Sequence, residues 1–341
     1  MGLGFGFRVG ARAVGGRAGD RPAAFRRLRR SLLALLITAA VVLPLSAASQ
    51  PRIPAPAPAV LAPLTAATLE EAYAANRANA AEASRMAEAH GDRRRAAVDR
   101  ALAAPSRTLL AFDGRGSGRA TEVFGDLAHA DRIAVLVLGS DTTLDTYARF
   151  RATATALYGQ LARDAPKGTR PAVVAWLGYE TPATISTTVL TPTRADQAAP
   201  KLREFIRQLH GITARQAHVT LLCHSYGTVV CARAAAGPRV DDIALIGSPG
   251  TGVDSAAALH TSARVWAARG GGDWIAEVPH VRADLFGTSV GFGTDPVSPA
   301  FGARVFAAGD GGHSDYFTPG SVSLANLARI VLGDTSEVTR A

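Results

Sequence analysis

Five short runs, IAVLVLGS (133–140), AVVAWLG (172–178), HVTLLC (218–223), DIALIGS (242–248) and ARVWAA (263–268), are apolar along nearly their whole length. A strand with two apolar faces must be covered on both, and parallel sheets flanked by helices are where such strands occur. Helix-like segments at 144–162, 198–210, 226–236 and 255–261 separate several of the runs, as parallel crossovers require. Upstream, TLLAFD (108–113) and ATEVFGD (120–126) flank GRGSGR, whose three glycines predict a hairpin turn. ARVFAA (303–308) supplies an eighth strand. SVSLANLARIVLG (321–333) then closes the pattern as an amphipathic helix with Val322, Leu324, Leu327, Ile330 and Val331 largely on one side. The expected class is therefore α/β: an eight-stranded, mostly parallel sheet with helices on both faces.

Four regions are expected along the chain: 1–48, 49–64, 65–104 and 105–335. Arg29 and Arg30 precede the apolar run SLLALLITAAVVLPL (31–45), and small residues follow at Ser46 and Ala48. That order reads as an export signal, and the run is short for a spanning helix, which needs about 20 residues. The expected location is outside the cytoplasm, either secreted or envelope-associated. The alternative is a membrane anchor through residues 31–48. PRIPAPAPAVLAP (51–63) is a Pro/Ala linker. Residues 66–104 are rich in Ala, Glu and Arg, predicting two helices divided at Gly91-Asp92.

The net charge of +9 is misleading as a sign of polyanion binding. Eight Arg and one acid lie in residues 1–50, leaving 29 basic and 27 acidic residues in the body of the protein. Nucleic-acid binding is therefore not expected. Two cysteines, Cys223 and Cys231, sit on either side of a strand-to-helix turn. In an exported protein they could form a disulfide, but with Cys223 ending the strand and Cys231 six residues beyond Ser225 on the following helix their Cα atoms are read as roughly 10 Å apart, beyond bridging range, so both are expected as buried free thiols.

In such sheets chemistry concentrates at strand C-terminal ends. After HVTLLC comes HSYG, a degenerate nucleophile elbow: Ser225 at the centre, Gly227 at the second small position, and Cys223 where G-x-S-x-G would have its first glycine. An acid follows the seventh strand in RGGGDWI at Asp273, and a histidine follows the eighth in GDGGHSDYF at His313. The chain order Ser225, Asp273, His313 is that of a nucleophile, an orienting acid and a general base. Asp254 after the sixth strand and Asp295 in a loop are rival acids, and His280 is the reserve base. His224 is expected to pack beside the site, and Asp315 to make local loop hydrogen bonds. The oxyanion donors expected are the backbone N–H groups of Tyr226 and of Ser140 in LGSDTT (138–143), with Asp141 the next choice for the second. Asp141 there would repel an oxyanion unless its carboxylate turns away. No metal or nucleotide cofactor is expected, because no ligand-spaced cluster or strand-bound G-x-G-x-x-G is present.

These residues resemble an actinobacterial family of α/β-hydrolases whose recurring stretches are close to GHSYG, AWLGY, GSPG, GHSDYF and SLxNLARI. This chain carries CHSYG (223–227), AWLGY (175–179), GSPG (247–250), GHSDYF (312–317) and SLANLARI (323–330). The resemblance implies an α/β-hydrolase fold with Ser225, Asp273 and His313 as its triad. It implies no substrate, and the chain departs from it at Cys223 and at LGSDTT, where the family usually resembles PGTGTT. The expected activity is hydrolysis of small-molecule or lipid carboxylic esters through an acyl-enzyme. Loops 178–200 and 277–302 are candidate walls of an acyl pocket. The alternatives are a catalytically impaired interaction module and an acyltransferase using the same triad.

Overall fold

The structure is a computed structural model that describes residues 53–183, 191–213, 216–237, 239–278, 280 and 291–341, and the backbone of 283–285 and 288–290. The expected export signal lies outside the described residues, as does part of each candidate pocket loop. Eight strands form one sheet: β1 (Leu109–Asp113), β2 (Arg119–Phe124), β3 (Arg132–Val137), β4 (Pro171–Leu177), β5 (His218–His224), β6 (Asp242–Ile246), β7 (Arg264–Ala268) and, after a hairpin of β8 (Ala283–Leu285) and β9 (Thr288–Val290), β10 (Arg304–Val305). Their order is β1-β2-β4-β3-β5-β6-β7-β10. β1 and β2 pair antiparallel, β2 pairs antiparallel with β4, and all later neighbours are parallel. β5 is central, with Cys223 opposite Val137 of β3 and Leu245 of β6.

Alternation along the central strands divides the core in two. Val135, Val137, Leu221 and Cys223 face α4 (Thr193–Ile212) and α5 (Gly227–Ala234). Leu136, Leu222 and Ala244 face α3 (Tyr147–Asp164) and α6 (Val322–Leu332). Ser321 caps α6 by accepting a hydrogen bond from the Leu324 N–H, and Gly333, at φ 88°, ends it.

The N-terminal helices α1 (Leu69–Ala89) and α2 (Arg93–Leu102) meet at Gly91, φ 91°, and Asp92, whose carboxylate accepts from the Arg95 N–H. Asn76 of α1 donates to the Leu109 carbonyl of β1 at 3.1 Å. Buried Arg95 donates to the Gly114 carbonyl at 3.0 Å and to Asp145 at 2.8 Å, tying α2 to the β1–β2 turn and to the approach to α3.

Three elements differ from the sequence reading. Segment 255–261 is only a 3-10 turn, Ala257–Leu259, ended by His260 at φ 50°. The final strand shrinks to two residues at the sheet edge, beyond which Phe306 makes only an isolated antiparallel bridge to Arg340. Helix α4 starts at Thr193 and runs through Pro200, although an interior proline removes one hydrogen bond. Its buried face, Ala195, Ala198, Leu202, Ile206 and Leu209, supplies the compensation. Among the described residues no helix is long and apolar enough to cross a membrane.

Candidate active site

Ser225 directly follows the carboxyl end of β5, with Tyr226 alone between it and α5, and has φ 57°. A non-glycine residue there is strained, and the surroundings hold it: its N–H donates to the Ile246 carbonyl at 3.0 Å, and the Thr228 hydroxyl donates to its carbonyl at 2.7 Å. Gly227 must lack a side chain, since a Cβ would fall 2.2 Å from the Val137 carbonyl oxygen. The turn thus presents the serine hydroxyl above the sheet edge while its backbone stays locked to β3 and β6.

The loop after β10 carries His313 over that hydroxyl. His313 Nε2 lies 2.9 Å from Ser225 Oγ, and Nδ1 lies 2.9 and 3.0 Å from Asp273 Oδ1 and Oδ2. With Nδ1–H donating to the carboxylate, Nε2 is left as an acceptor for the serine proton. Asp273 is buried, and burial alone would raise its pKa. Hydrogen bonds from His313, from the Tyr316 hydroxyl at 2.5 Å and from the Ile275 N–H at 2.9 Å outweigh that and hold it below the ordinary carboxylate value. It remains an anion able to orient the imidazole and stabilise its protonated form.

Three aromatic rings frame this chain. Tyr316 is buried and accepts the Gly270 N–H at 3.0 Å, and burial followed by its bond to Asp273 raises the phenol pKa. His224 donates Nε2–H to the His313 carbonyl at 2.7 Å, with its ring 4.7 Å from the His313 ring and 5.5 Å from Tyr316. Burial, then the neighbouring His313, lowers its pKa to about 4, so it is neutral near pH 7. Trp274 lies 4.7 Å from the His313 ring yet is 51% exposed, placing a large apolar surface at the site's rim. Gly247, φ 55°, makes room: a Cβ would lie 2.9 Å from Asp273 Oδ2 and 3.2 Å from His313 Nδ1.

The loop after β3 passes across the serine. A Cβ on Gly139 would lie 2.5 Å from the Tyr226 nitrogen and 3.0 Å from Ser225 Cβ. The Tyr179 hydroxyl holds this loop through the Leu138 carbonyl at 2.8 Å. Asp141 is exposed, adopts φ 57° and spends its N–H on the Pro182 carbonyl at 3.0 Å, so that group is not an oxyanion donor. Tyr226 is anchored by its hydroxyl, which donates to the Thr191 carbonyl at 2.8 Å and accepts from the Ala195 N–H at 3.1 Å. The N–H groups of Tyr226 and Ser140 therefore belong to the two chain segments that converge on Ser225.

The cysteines correct the sequence reading. Cys223 and Cys231 form a disulfide, with Cα atoms 6.4 Å apart. The elbow reverses the chain, so α5 lies back along β5 on the face toward which Cys223 points, instead of running on from the strand. Both residues are fully buried among Val229, Val230 and Val137. Cys223 thus fills the first small position without entering the reacting face.

The rivals lie elsewhere. Asp254 lies against Gly293, Asp295 pairs with Arg269 at 2.5 Å, and His280 Nε2 is 3.3 Å from the Ser248 carbonyl. Asp315 accepts the Gly312 N–H at 2.8 Å, shaping the turn before His313. Tyr316, Trp274 and Gly139 had no sequence signal of their own beyond adjacency to Asp273, His313 and the LGSDTT loop.

The chain belongs to the alpha/beta hydrolase family, whose model matches residues 113–283. An uncharacterised protein of Mycobacterium tuberculosis is 31% identical over 263 residues, covering 66% of this chain and 39% of that relative. An uncharacterised protein of Mycobacterium bovis is 30% identical over 176 residues, covering 48% of this chain and 66% of its own length. The chain thus spans under half the length of the first of these relatives. Among solved structures, esterase PE8 aligns with TM-score 0.41 and 17% identity over 61% of this chain and 95% of its own. An α/β serine hydrolase without a lid from Xanthomonas campestris aligns with TM-score 0.39 and 13% identity over 68% of this chain and 95% of its own.

Proposed function

We propose that the protein is an exported serine hydrolase that cleaves carboxylic esters through Ser225, His313 and Asp273. The unbroken hydrogen-bonded chain from Asp273 through His313 to Ser225, ending on a positive-φ serine at a strand terminus, carries this reading. Ser225 Oγ attacks the ester carbonyl as His313 Nε2 takes its proton. The imidazolium, paired with Asp273, returns that proton to the departing alcohol, and water then repeats the sequence on the acyl-enzyme. The Tyr226 and Ser140 N–H groups receive the developing oxyanion. Esters are preferred over amides by analogy with this kind of site on this fold. Export rests on residues 29–48 and is supported by the disulfide, a bond characteristic of oxidising compartments. The test is labelling with a fluorophosphonate probe: wild type labels, Ser225→Ala does not, and absence of Ser225-dependent labelling in folded protein rejects the reading.

A further inference from the structure

Cys223 precedes the proposed nucleophile by two residues, and Cys231 follows it by six. Their bond closes a covalent ring containing Ser225, the Tyr226 N–H and Gly227. A nucleophile, one proposed oxyanion donor and the obligatory glycine of the turn therefore lie inside a single short loop. That loop holds a serine at φ 57°, a conformation that relaxes unless its surroundings over-determine it. Its backbone is held by hydrogen bonds to the Ile246 carbonyl on one side and from Thr228, itself within the ring, on the other, and the next residue is held through the Tyr226 hydroxyl by Thr191 and Ala195; the disulfide is the one covalent closure among these restraints. Helix α5, which must stay docked for the Tyr226 N–H to keep its aim, is only eight residues long, too short to be stable by itself.

We propose that the Cys223–Cys231 disulfide is a positioning element of the active site, so that the enzyme reaches full catalytic competence only after oxidation. The inference rests on the serine-hydrolase reading. In the oxidation, each thiol loses one proton and the pair gives two electrons to the disulfide of a thiol oxidant, which departs as a dithiol after a mixed-disulfide intermediate. Both sulfurs are buried, so reduction of the folded protein requires opening of the elbow. The bond therefore acts as a maturation lock set once, outside the cytoplasm, and not as a rapid switch.

The test compares the full chain in three forms: oxidised wild type, wild type folded and kept in dithiothreitol, and Cys223→Ala/Cys231→Ala. Folding is checked by circular dichroism, and assays are run well below each melting temperature. The reduced and double-alanine forms are expected to lose about tenfold or more in kcat and in the rate of fluorophosphonate labelling, with KM within about twofold, because misplacement of a reacting group by about 1 Å costs up to about 10²-fold. Equal kcat and labelling in folded reduced protein, whatever happens to its melting temperature, overturns the proposal. Failure of both unbridged forms to fold also overturns it, by placing the bond in folding instead of positioning. If oxidised wild type does not label at Ser225, the hydrolase reading itself has failed, an outcome distinct from both.

Discussion

Replacing His224 with Gln tests the electrostatics beneath the proposed general base. In the folded protein burial, and then the neighbouring His313, lowers the His224 pKa from 6.5 to about 4, against the opposing bond to the His313 carbonyl. Between those values the unfolded chain binds a proton that the native state refuses, so stability rises with pH across this window and falls as pH drops through it. At pH 5 the unfolded residue is almost wholly protonated and the native one almost wholly neutral, a difference of about 2 kcal/mol from the two proton-binding curves. A glutamine amide can still donate to the His313 carbonyl but does not titrate. Denaturant unfolding at pH 8 and pH 5 should therefore show wild type losing about 2 kcal/mol more than His224→Gln. In thermal melts of a domain this size the gap corresponds to roughly 3 °C. Equal losses in the two proteins refute the claim that His224 is held neutral between His313 and Tyr316.

Gly139→Ala should reduce kcat about 10²- to 10³-fold with the fold retained, because its Cβ would lie 2.5 Å from the Tyr226 nitrogen and displace one proposed oxyanion donor; kcat within about threefold of wild type would show that the loop moves aside. Trp274→Ala should lower kcat/KM about tenfold for esters of bulky apolar alcohols and leave methyl esters nearly unchanged. Its half-exposed ring adjoins the imidazole proposed to protonate the leaving alcohol, and removing such an aromatic contact costs about 0.5 to 1.5 kcal/mol. A uniform loss across alcohols would show instead that Trp274 only supports His313.

The architecture was readable because apolar strand runs and spaced helix segments must be reconciled with burial on both faces, and one parallel sheet does that. Chain order likewise singled out Ser225, Asp273 and His313, since each follows a strand whose end lies on the same sheet edge. Other features depended on where the chain turns. The helix expected from residue 198 starts instead at Thr193, because burial of Ala195 and its neighbours extends it N-terminally. Segment 255–261 had helical composition yet turns at His260, where φ 50° stops propagation.

What the sequence determined alone is the periodicity: which runs are strands, which face of the final helix is apolar, and the order in which three reactive side chains arrive. These follow from local geometry and from the need to hide apolar surface. The handling of CHSYG, by contrast, was settled by packing between distant segments. A spacing of eight residues says nothing about Cα separation until the elbow's direction is known, and the reversal at Ser225 brings Cys223 and Cys231 to 6.4 Å. The parallel order β5-β6-β7-β10, which brings the segments after these strands to one edge, sets Tyr316 on Asp273 and His224 beneath His313, contacts between residues 43 and 89 positions apart that no local pattern encodes.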